Sequence, residues 1–246
     1  MTLKNELSGI CFILWKDLRA YYFKPPNISW GLLFPLVLTL AFTLRDPTGL
    51  TTLAPGLIAM AAVFGTTSME AIVITFERRQ GSLERLLLAP ISIRSLLFGK
   101  VLGGAVFGGM ISGVMVLVSV GFFGMVITDP LLFFGSLVLT LLTLSALGAL
   151  VAVSVTEVFE AQTLSNFFRF PMVFLCGVFL PVGTMPLLLQ VVAYLLPLTY
   201  SVNALKLGIS LAPELADPLF NVGALVLFLV LLFGACEWGL KRSLMH

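Results

Sequence analysis

The sequence has little charge, a single histidine and no paired cysteines. Only 11% of its 246 residues are charged, compared with about 25% in soluble domains. The histidine is His246, and the cysteines, Cys11, Cys176 and Cys236, stand alone without the spacing of a metal site or a redox dithiol. These absences exclude the soluble enzyme folds and leave no residues for intramembrane metal hydrolysis or general acid–base catalysis. We therefore expect no catalytic residue and no metal site.

Two further absences concern ligands. No GxxxxGK[ST] phosphate-binding loop occurs, because Gly99-Lys100 is followed by Val101 and lacks the upstream glycine. Any ATP must therefore be bound by another chain, and we expect no cofactor on this one. The net charge of +2 is also too close to zero to indicate a nucleic-acid surface.

Long apolar stretches dominate the sequence. The chain is 59% hydrophobic with a mean hydropathy of +1.09, and a membrane-spanning helix needs about 20 apolar residues. Because lipid offers the backbone no hydrogen-bond partners, such stretches must be helical. The sequence therefore predicts an all-α membrane protein. Five stretches have the required length, namely 28–44, 56–76, 101–127, 131–155 and 219–238.

The region 170–210 could hold one span with a re-entrant piece, or two complete spans. Six spans in total place both termini in the cytoplasm, with twelve Lys and Arg residues on that side and two outside, which the positive-inside rule favours. Pro181, Pro186 and Pro197 cut the region into short pieces. We therefore predict a fifth span at 170–180 and its flanks, then an outer re-entrant helical hairpin within 181–210. The cytoplasmic set is Lys4, Lys16, Arg19, Lys24, Arg78, Arg79, Arg85, Arg94, Lys100, Arg169, Lys241 and Arg242, and the outer set is Arg45 and Lys206.

The first 24 residues predict an amphipathic helix that lies in the membrane interface and ends before Pro25-Pro26. On a helical wheel one arc is apolar and the opposite arc is polar. Two roles remain open for this helix, a simple membrane anchor or a lever that a cytoplasmic partner pushes. The apolar arc comprises Leu3, Leu7, Ile10, Cys11, Leu14, Leu18, Tyr21 and Tyr22, and the polar arc comprises Asn5, Glu6, Lys16, Asp17 and Arg19.

The loop 77–100 holds the densest charge cluster and predicts two short helices. The first would start at Gly81 and Ser82, with the Ser82 side chain capping free amides, and would stop at Pro90. Ser92 would cap a second helix that continues through Lys100 into the third span. A positive loop that only fixes topology explains the arginines. It does not explain the apolar face formed by Leu83, Leu86 and Leu87, which needs something to bury it.

Two segments resemble the signatures of ABC-2 type transporter permeases. The first is Phe76-Glu77-Arg78-Arg79-Gln80-Gly81-Ser82-Leu83-Glu84-Arg85-Leu86 with the following Ala89-Pro90-Ile91-Ser92. The second is Asn166-Phe167-Phe168-Arg169-Phe170-Pro171-Met172, followed by Gly177-Val178-Phe179-Leu180-Pro181 and Leu196-Pro197-Leu198-Thr199-Tyr200. The resemblance covers essentially the whole chain. Many members of that family carry an acid where Arg79 stands, so we expect a charge contact with the ATPase at that position to differ here.

The resemblance implies a single transmembrane domain over 1–246, paired with a second permease copy above two ATPase subunits that bind ATP and Mg²⁺. The 1–24 segment would be an interface helix, and 77–100 would be the cytoplasmic coupling loop between spans two and three. The hairpin within 181–210 would close the pathway on the outer side. Coupling to the ATPase is implied for Glu77, Arg78, Gly81, Ser82, Leu83, Glu84, Arg85, Leu86 and Pro90.

A few polar and small residues inside the spans need separate explanations. Glu70, Asn166 and Arg169 are intramembrane polar candidates for the translocation pathway. Glu70 could contact substrate or take part in coupling, or it could simply meet water or an arginine such as Arg169. Gly104, Gly108 and Ser112 repeat at every fourth residue, which allows close helix packing within the chain or at a dimer seam.

Together these features predict a permease subunit that exports an amphipathic or hydrophobic molecule, drug-like or lipid-linked, across the plasma membrane of a prokaryote. Spans lined by Phe, Leu, Met and Gly suit such a substrate better than an ion. The alternative is a passive channel or a membrane scaffold without an ATPase partner.

Overall fold

The computed structural model describes residues 3–45 and 50–243; His246 lies outside them. The all-α prediction is confirmed, since no strand occurs in the described ranges. Ten α-helices, one π-helical turn and one 3-10 turn follow each other along this part of the chain. Their bounds are α1 Leu3–Asp17, a π-helical turn Leu18–Tyr22, α2 Pro25–Arg45, α3 Leu50–Arg79, α4 Ser82–Leu87, α5 Ile93–Phe123, α6 Pro130–Ser154, α7 Val158–Leu175, a 3-10 turn Val182–Thr184, α8 Leu187–Tyr194, α9 Pro197–Gly208 and α10 Pro218–Ser243.

Five of the described helices are long and apolar enough to cross a membrane, namely α2, α3, α5, α6 and α10. A sixth span arises only if α8 and α9, which meet at 82°, are counted as one broken span. Helix α7, which carries the predicted fifth span, is not among the five. It starts at Val158 and stops at Leu175, so residues 176–180 fall outside it.

Local signals explain why α7 lies earlier in the chain than predicted. Glu157 and Glu160 form a capping box that starts the helix well before the apolar run at Phe170. Gly177 adopts a left-handed conformation with φ +77°, which ends the helical path. Pro171 lies inside the helix rather than at its end. The predicted placement of this span was therefore wrong by more than one turn at its start.

Helix α3 forms the centre of the bundle, and its side chains are buried along most of its length. It packs against α5, α6 and α7. Gly65 of α3 directly faces Gly108 of α5, and Gly148 of α6 faces the Thr67 carbonyl. These small residues let the backbones approach closely. Helices α2 and α10 lie at the periphery, and their exposed apolar side chains form a lipid-compatible surface, including Leu33, Val37, Leu40, Leu227, Val230 and Leu231.

Helix α1 packs along α5, but the face that it buries differs from the predicted apolar arc. Ile13 and Asp17 are buried, whereas Leu7 and Cys11 are exposed. Asp17 was placed on the polar arc because its charge was treated as solvated. The wheel was wrong there, because Asp17 pairs with the buried Lys100 of α5, which a single-helix pattern cannot reveal.

The segment after α7 folds back at the end of the bundle where α3 begins, beside Thr52 and Leu53. Glu214 accepts hydrogen bonds from the backbone amides of Val182 and Gly183. The Asn203 side-chain oxygen accepts a hydrogen bond from the backbone amide of Glu214 at 3.0 Å, and this bond holds the 209–217 loop against α9. The 3-10 turn, α8, α9 and this loop therefore form one connected cap.

Candidate functional site

Four charged side chains from three helices meet in the interior. Lys16 and Asp17 come from α1, Glu77 from α3 and Lys100 from α5, and we call these four residues the ion cluster. Lys100 Nζ lies 2.8 Å from Asp17 Oδ2 and also donates to the Glu77 carboxylate. Lys16 Nζ lies 3.0 Å from Asp17 Oδ1 and donates to the other Glu77 oxygen. The cluster therefore joins α1 to the ends of α3 and α5 by alternating charges.

Burial makes the charges of the ion cluster interdependent. Asp17, Glu77 and Lys100 have essentially no solvent exposure, so each depends on the others for the solvation that water would supply. Burial lowers the pKa of Lys16, but the carboxylates of Asp17 and Glu77 raise it by more, so the net direction is upward. Loss of one member would leave an unpaired buried charge.

Glu70 lies deeper along α3 than the ion cluster and pairs with a tyrosine. The Tyr22 hydroxyl donates to Glu70 Oε2 at 2.5 Å, and both residues are fully buried. The Tyr22 ring also stacks on Phe107 with centroids 5.2 Å apart. The suggested contact between Glu70 and Arg169 was wrong. Glu70 accepts its hydrogen bond from Tyr22 of the π-helical turn, and Arg169 donates to Ser68 instead. Within the described residues Glu70 Oε1 has no hydrogen-bond partner.

The repeated small residues of α5 face other helices of the same chain. A side chain added at Gly104 would meet Ser145 and would lie 2.5 Å from Glu70 Oε2. At Gly108 it would meet Thr66 and Leu141. The Ser112 hydroxyl donates to the Gly108 carbonyl at 2.8 Å. This placement corresponds to packing of α5 against α3 and α6, the first of the two alternatives for the stripe.

The short helix α4 is tied to α3 by its first residues. Gly81 adopts φ +66° and ψ 14°, a left-handed conformation that reverses the chain after α3. The Ser82 hydroxyl donates to the Glu77 carbonyl at 3.0 Å. It therefore does not cap the free amides of α4, as the sequence suggested, since Gly81 occupies the capping position. Because Glu77 belongs to the ion cluster, this bond attaches the start of α4 to a residue of that cluster.

The apolar face of α4 is buried within the chain itself. Leu83 is buried among Ile13, Ile74, Leu96 and Leu97, with Leu86 partly buried beside them. The side chain of Leu87 lies outside the described residues. The apolar face does need something to bury it, as the sequence indicated, and α1, α3 and α5 of the same chain supply that cover.

The exposed tip of the loop consists of Glu84, Arg85, Leu88 and Pro90. Leu88 is 87% exposed. Sequence reasoning did not single it out, although its position between the end of α4 and Pro90 could have suggested a projecting side chain. We call these four residues the α4 tip.

The two arginines that end α3 bind other parts of the chain. Arg78 Nη2 donates to the Ala152 carbonyl at 2.9 Å and to the Val155 carbonyl, so it binds the last turn of α6. Arg79 forms an exposed ion pair with Glu157 at 2.5 Å. Both residues therefore connect the loop to the junction between α6 and α7.

A second link joins α1 to the loop. Glu6 accepts hydrogen bonds from the Ser92 amide at 3.0 Å and from the Ser92 hydroxyl at 3.1 Å. The Ser92 hydroxyl in turn accepts the Ser95 amide at 3.1 Å, which confirms the predicted cap of α5. The Ser95 hydroxyl and the Ser92 amide lower the pKa of Glu6.

The remaining polar candidates line a cavity of about 480 Å³ between α2, α3 and α7. Arg169 and Asn166 lie on its α7 side, and Ser68 lies on its α3 side. Arg169 Nη2 donates to Ser68 Oγ, and Gln162 donates to Asn166 Oδ1 at 3.3 Å. Neither Asn166 nor Arg169 contacts Glu70, so the structure separates the polar candidates into two groups.

Sequence reasoning missed the partners Lys16, Asp17 and Lys100, which it used only as topological charges or as a solvated face. One local signal could have found Lys100, which is a lone charge within an otherwise apolar run from Leu96 to Leu102. The separation of 83 residues between Asp17 and Lys100 hides their pairing from any local pattern.

Comparison with known proteins finds similarity to one family along most of the chain. The profile of the family described as ABC-2 type transporter matches residues 8–209. The chain is 28% identical over 191 residues to the inner membrane transport permease YadH of Escherichia coli K12, covering 76% of this chain and 73% of that protein. It is 24% identical over 153 residues to the probable multidrug ABC transporter permease YbhR of the same strain, covering 62% of this chain and 42% of that protein. The ion cluster, the α4 tip and the cavity residues all fall within the residues that the family profile matches.

Proposed function

Because the chain belongs to the ABC-2 type transporter family and is a transmembrane subunit of an ABC transporter, we propose that it exports an amphipathic or hydrophobic molecule. Separate ATPase subunits would supply the energy, with ATP and Mg²⁺ bound on those subunits. The proposed substrate is drug-like or lipid-linked. The name of the relative YbhR, a probable multidrug permease, supports this substrate class.

The observation that carries the coupling proposal is the α4 tip. Glu84, Arg85 and Leu88 project from a helix whose opposite face is buried against the chain. A projecting apolar side chain with flanking charges suits a cleft in a partner protein, since the apolar group supplies burial and the charges supply specificity. The tip is therefore the proposed contact with the ATPase.

The connections of α4 suggest how movement would spread from that contact. Ser82 binds the last turns of α3 at Glu77, and Glu77 belongs to the ion cluster. Glu6 binds α1 to the start of α5. Because these links join α1, α3, α4 and α5, a push on the tip would move their ends together. This arrangement supports the lever role for α1 over the simple anchor.

The remaining parts of the proposal concern the assembly and its orientation. Two ATPase subunits would dock under two copies of the permease. The relative YadH is an inner membrane permease, which supports an inner membrane location here, with both termini and the α4 tip in the cytoplasm. The 82° bend between α8 and α9 supports a re-entrant hairpin on the outer side that closes the pathway.

The test is purification of the tagged permease from its native membrane in mild detergent, followed by identification of copurifying proteins and an assay of ATP hydrolysis. The expected result is a copurifying P-loop ATPase. Glu84→Lys should preserve folding and insertion but abolish the effect of substrate on ATP hydrolysis. Arg242→Glu, a charge reversal at the exposed end of α10, is the matched control and should leave coupling intact.

The same experiment separates the proposal from a passive channel or a scaffold. Recovery of the folded permease without an ATPase from fully solubilised membranes would favour those alternatives. Unchanged coupling in Glu84→Lys would reject the assignment of the α4 tip while leaving the transporter class intact.

A further inference from the structure

The cavity between α2, α3 and α7 is lined by a buried, positively charged side chain, that of Arg169. Its walls include Phe34, Phe64 and Phe170 on the apolar side and Ser68, Asn166 and Arg169 on the polar side. Along α3, Ser68 lies eleven residues before Arg79, or about 16 Å from that end of the helix at 1.5 Å per residue. The polar side of the cavity is therefore about three helical turns away from that end of α3.

Arg169 has few partners for a charged group in that position. It is only 6% exposed. Its Nη2 donates to the Ser68 hydroxyl, and its guanidinium carbon lies 4.3 Å from the centre of the Phe64 ring. Among the described residues its Nε has no hydrogen-bond partner, and no carboxylate lies within ion-pair distance. One neutral hydroxyl and one aromatic face do not neutralise a buried positive charge.

The carboxylates of the described spans are already committed elsewhere. Glu70 accepts from Tyr22, and Glu77 accepts from Lys16 and Lys100. Glu160, on the same helix as Arg169, accepts amides at the start of α7. Glu70 keeps one oxygen without a partner among the described residues, but it is fully buried beside Tyr22 in its own chain, so a second copy could not present it to Arg169. None of the described carboxylates is therefore placed to pair with Arg169, and the site is open to an anion from another molecule.

We propose that this cavity binds the anionic headgroup of the exported amphiphile, with Arg169 as the charge that selects it. This inference rests on the proposed export function and narrows its substrate to amphiphiles that carry a phosphate or carboxylate group. An arginine guanidinium offers several donors in a plane that matches such groups. Asn166 and Ser68 add hydrogen-bonding groups beside it, and the phenylalanines accept the apolar tail.

The test measures binding to the purified full-length permease in a neutral maltoside detergent by native mass spectrometry. The probes are dodecyl phosphate, dodecyltrimethylammonium, inorganic phosphate and phosphatidylglycerol. Dodecyl phosphate should bind wild type, and Arg169→Gln should weaken that binding at least tenfold. Arg169→Lys, which keeps the charge, should retain part of the affinity. Dodecyltrimethylammonium should bind weakly and equally to wild type and Arg169→Gln.

Arg242→Gln removes an exposed arginine and should leave dodecyl phosphate binding unchanged. A melting temperature recorded for each variant separates lost binding from lost folding, and Arg169→Lys remains informative if Arg169→Gln does not fold. Equal binding of dodecyl phosphate to wild type and a folded Arg169→Gln would overturn the inference. Binding of phosphatidylglycerol as strong as that of dodecyl phosphate would identify the anion as bilayer lipid and overturn the substrate assignment. Full competition by inorganic phosphate would show that the apolar tail adds nothing to binding and would overturn its proposed role in the cavity.

The binding test needs only the permease, whereas the export proposal is tested by copurification of an ATPase. Absence of Arg169-dependent binding with an ATPase present would reject the anionic substrate alone. Absence of the ATPase with Arg169-dependent binding would reject the energy source and leave the anion site in place.

Discussion

Lys100 of α5 and Asp17 of α1 form a 2.8 Å ion pair from which solvent is excluded. The pair attaches a helix at the bundle's edge to one of its central spans. Glu77 shares the same lysine, so α3 enters the connection as well. Buried ion pairs cost desolvation and add little net stability, but breaking one leaves an uncompensated buried charge. The ion cluster and the packing of Ile13 against Gly99 therefore both hold α1 on the bundle.

Replacing Lys100 with Met should strongly destabilise the protein. The change leaves Asp17 and Glu77 buried with only Lys16 to neutralise them, and breaking a buried pair in this way costs about 3–5 kcal/mol. Thermal unfolding in detergent should show a large fall in melting temperature. Arg94→Met, which removes an exposed pair with Glu237, should cost no more than about 1 kcal/mol. Similar melting temperatures for the two variants would show that the ion cluster is not structural.

Tyr22→Phe tests the bond between the π-helical turn and α3. The change keeps the stacking on Phe107. It leaves both Glu70 oxygens without a hydrogen-bond donor among the described residues. We expect a loss of about 1–3 kcal/mol in the free energy of unfolding, the cost of an unsatisfied buried group. Adding Glu70→Gln should reduce the loss, because a neutral amide is cheaper to leave buried than a carboxylate. A double-mutant cycle measures this coupling, and strictly additive losses would mean that the two side chains do not interact.

Local patterns predicted much of the fold, and long-range pairing accounts for most of what they missed. Apolar length located five of the spans, and Ser92 marked the start of α5 correctly. The capping box of Glu157 and Glu160 is also local and could have corrected the start of α7. The pairing of Asp17 with Lys100 depends on α1 and α5 coming together across 83 residues of sequence, which no periodicity encodes.

The candidate site was predictable only in part. The 77–90 segment could be recognised from its motif, but the direction of each side chain could not. Leu83 turns into the chain and Leu88 turns out, although both are leucines on or next to one short helix. Leu83 packs in a cluster with Ile13 of α1, so its burial depends on where α1 lies.

Gly104→Ala should disturb the contact of α5 with α3 and α6. The added methyl would lie 2.5 Å from Glu70 Oε2 and would also meet Ser145, so side chains or helices must shift. Overpacking of this kind costs about 1–3 kcal/mol. Gly113→Ala on the same helix meets nothing within 4 Å and should be neutral or slightly stabilising. Melting temperatures of the two variants provide the comparison, and equal values would contradict the close packing at Gly104.

The link between Glu6 and Ser92 should weaken in acid. Hydrogen bonds from the Ser95 hydroxyl and the Ser92 amide lower the pKa of Glu6 in the folded protein. A lowered pKa means that the stabilisation is complete above the ordinary glutamate pKa and is lost as the pH falls through the folded value. Hydrogen exchange in α1 should therefore be slow at neutral pH and accelerate as Glu6 becomes protonated. Glu6→Gln should show faster exchange already at neutral pH, and identical exchange profiles for variant and wild type would exclude a role for Glu6.

The proposed orientation predicts which positions react with an impermeant thiol reagent. Cys11 is exposed and must first be replaced by serine, whereas Cys176 and Cys236 are buried and can remain. A cysteine at Gly183, on the proposed outer cap, should react in intact cells. A cysteine at Arg85, in the α4 tip, or at Arg242, at the end of α10, should react only after the cells are opened, because the proposed arrangement counts α7 as the fifth of six spans and so places both positions on the cytoplasmic side. Reaction at position 242 in intact cells, with position 85 still protected, would mean that the segment from α7 to α9 crosses the membrane a different number of times and that the six-span arrangement is wrong.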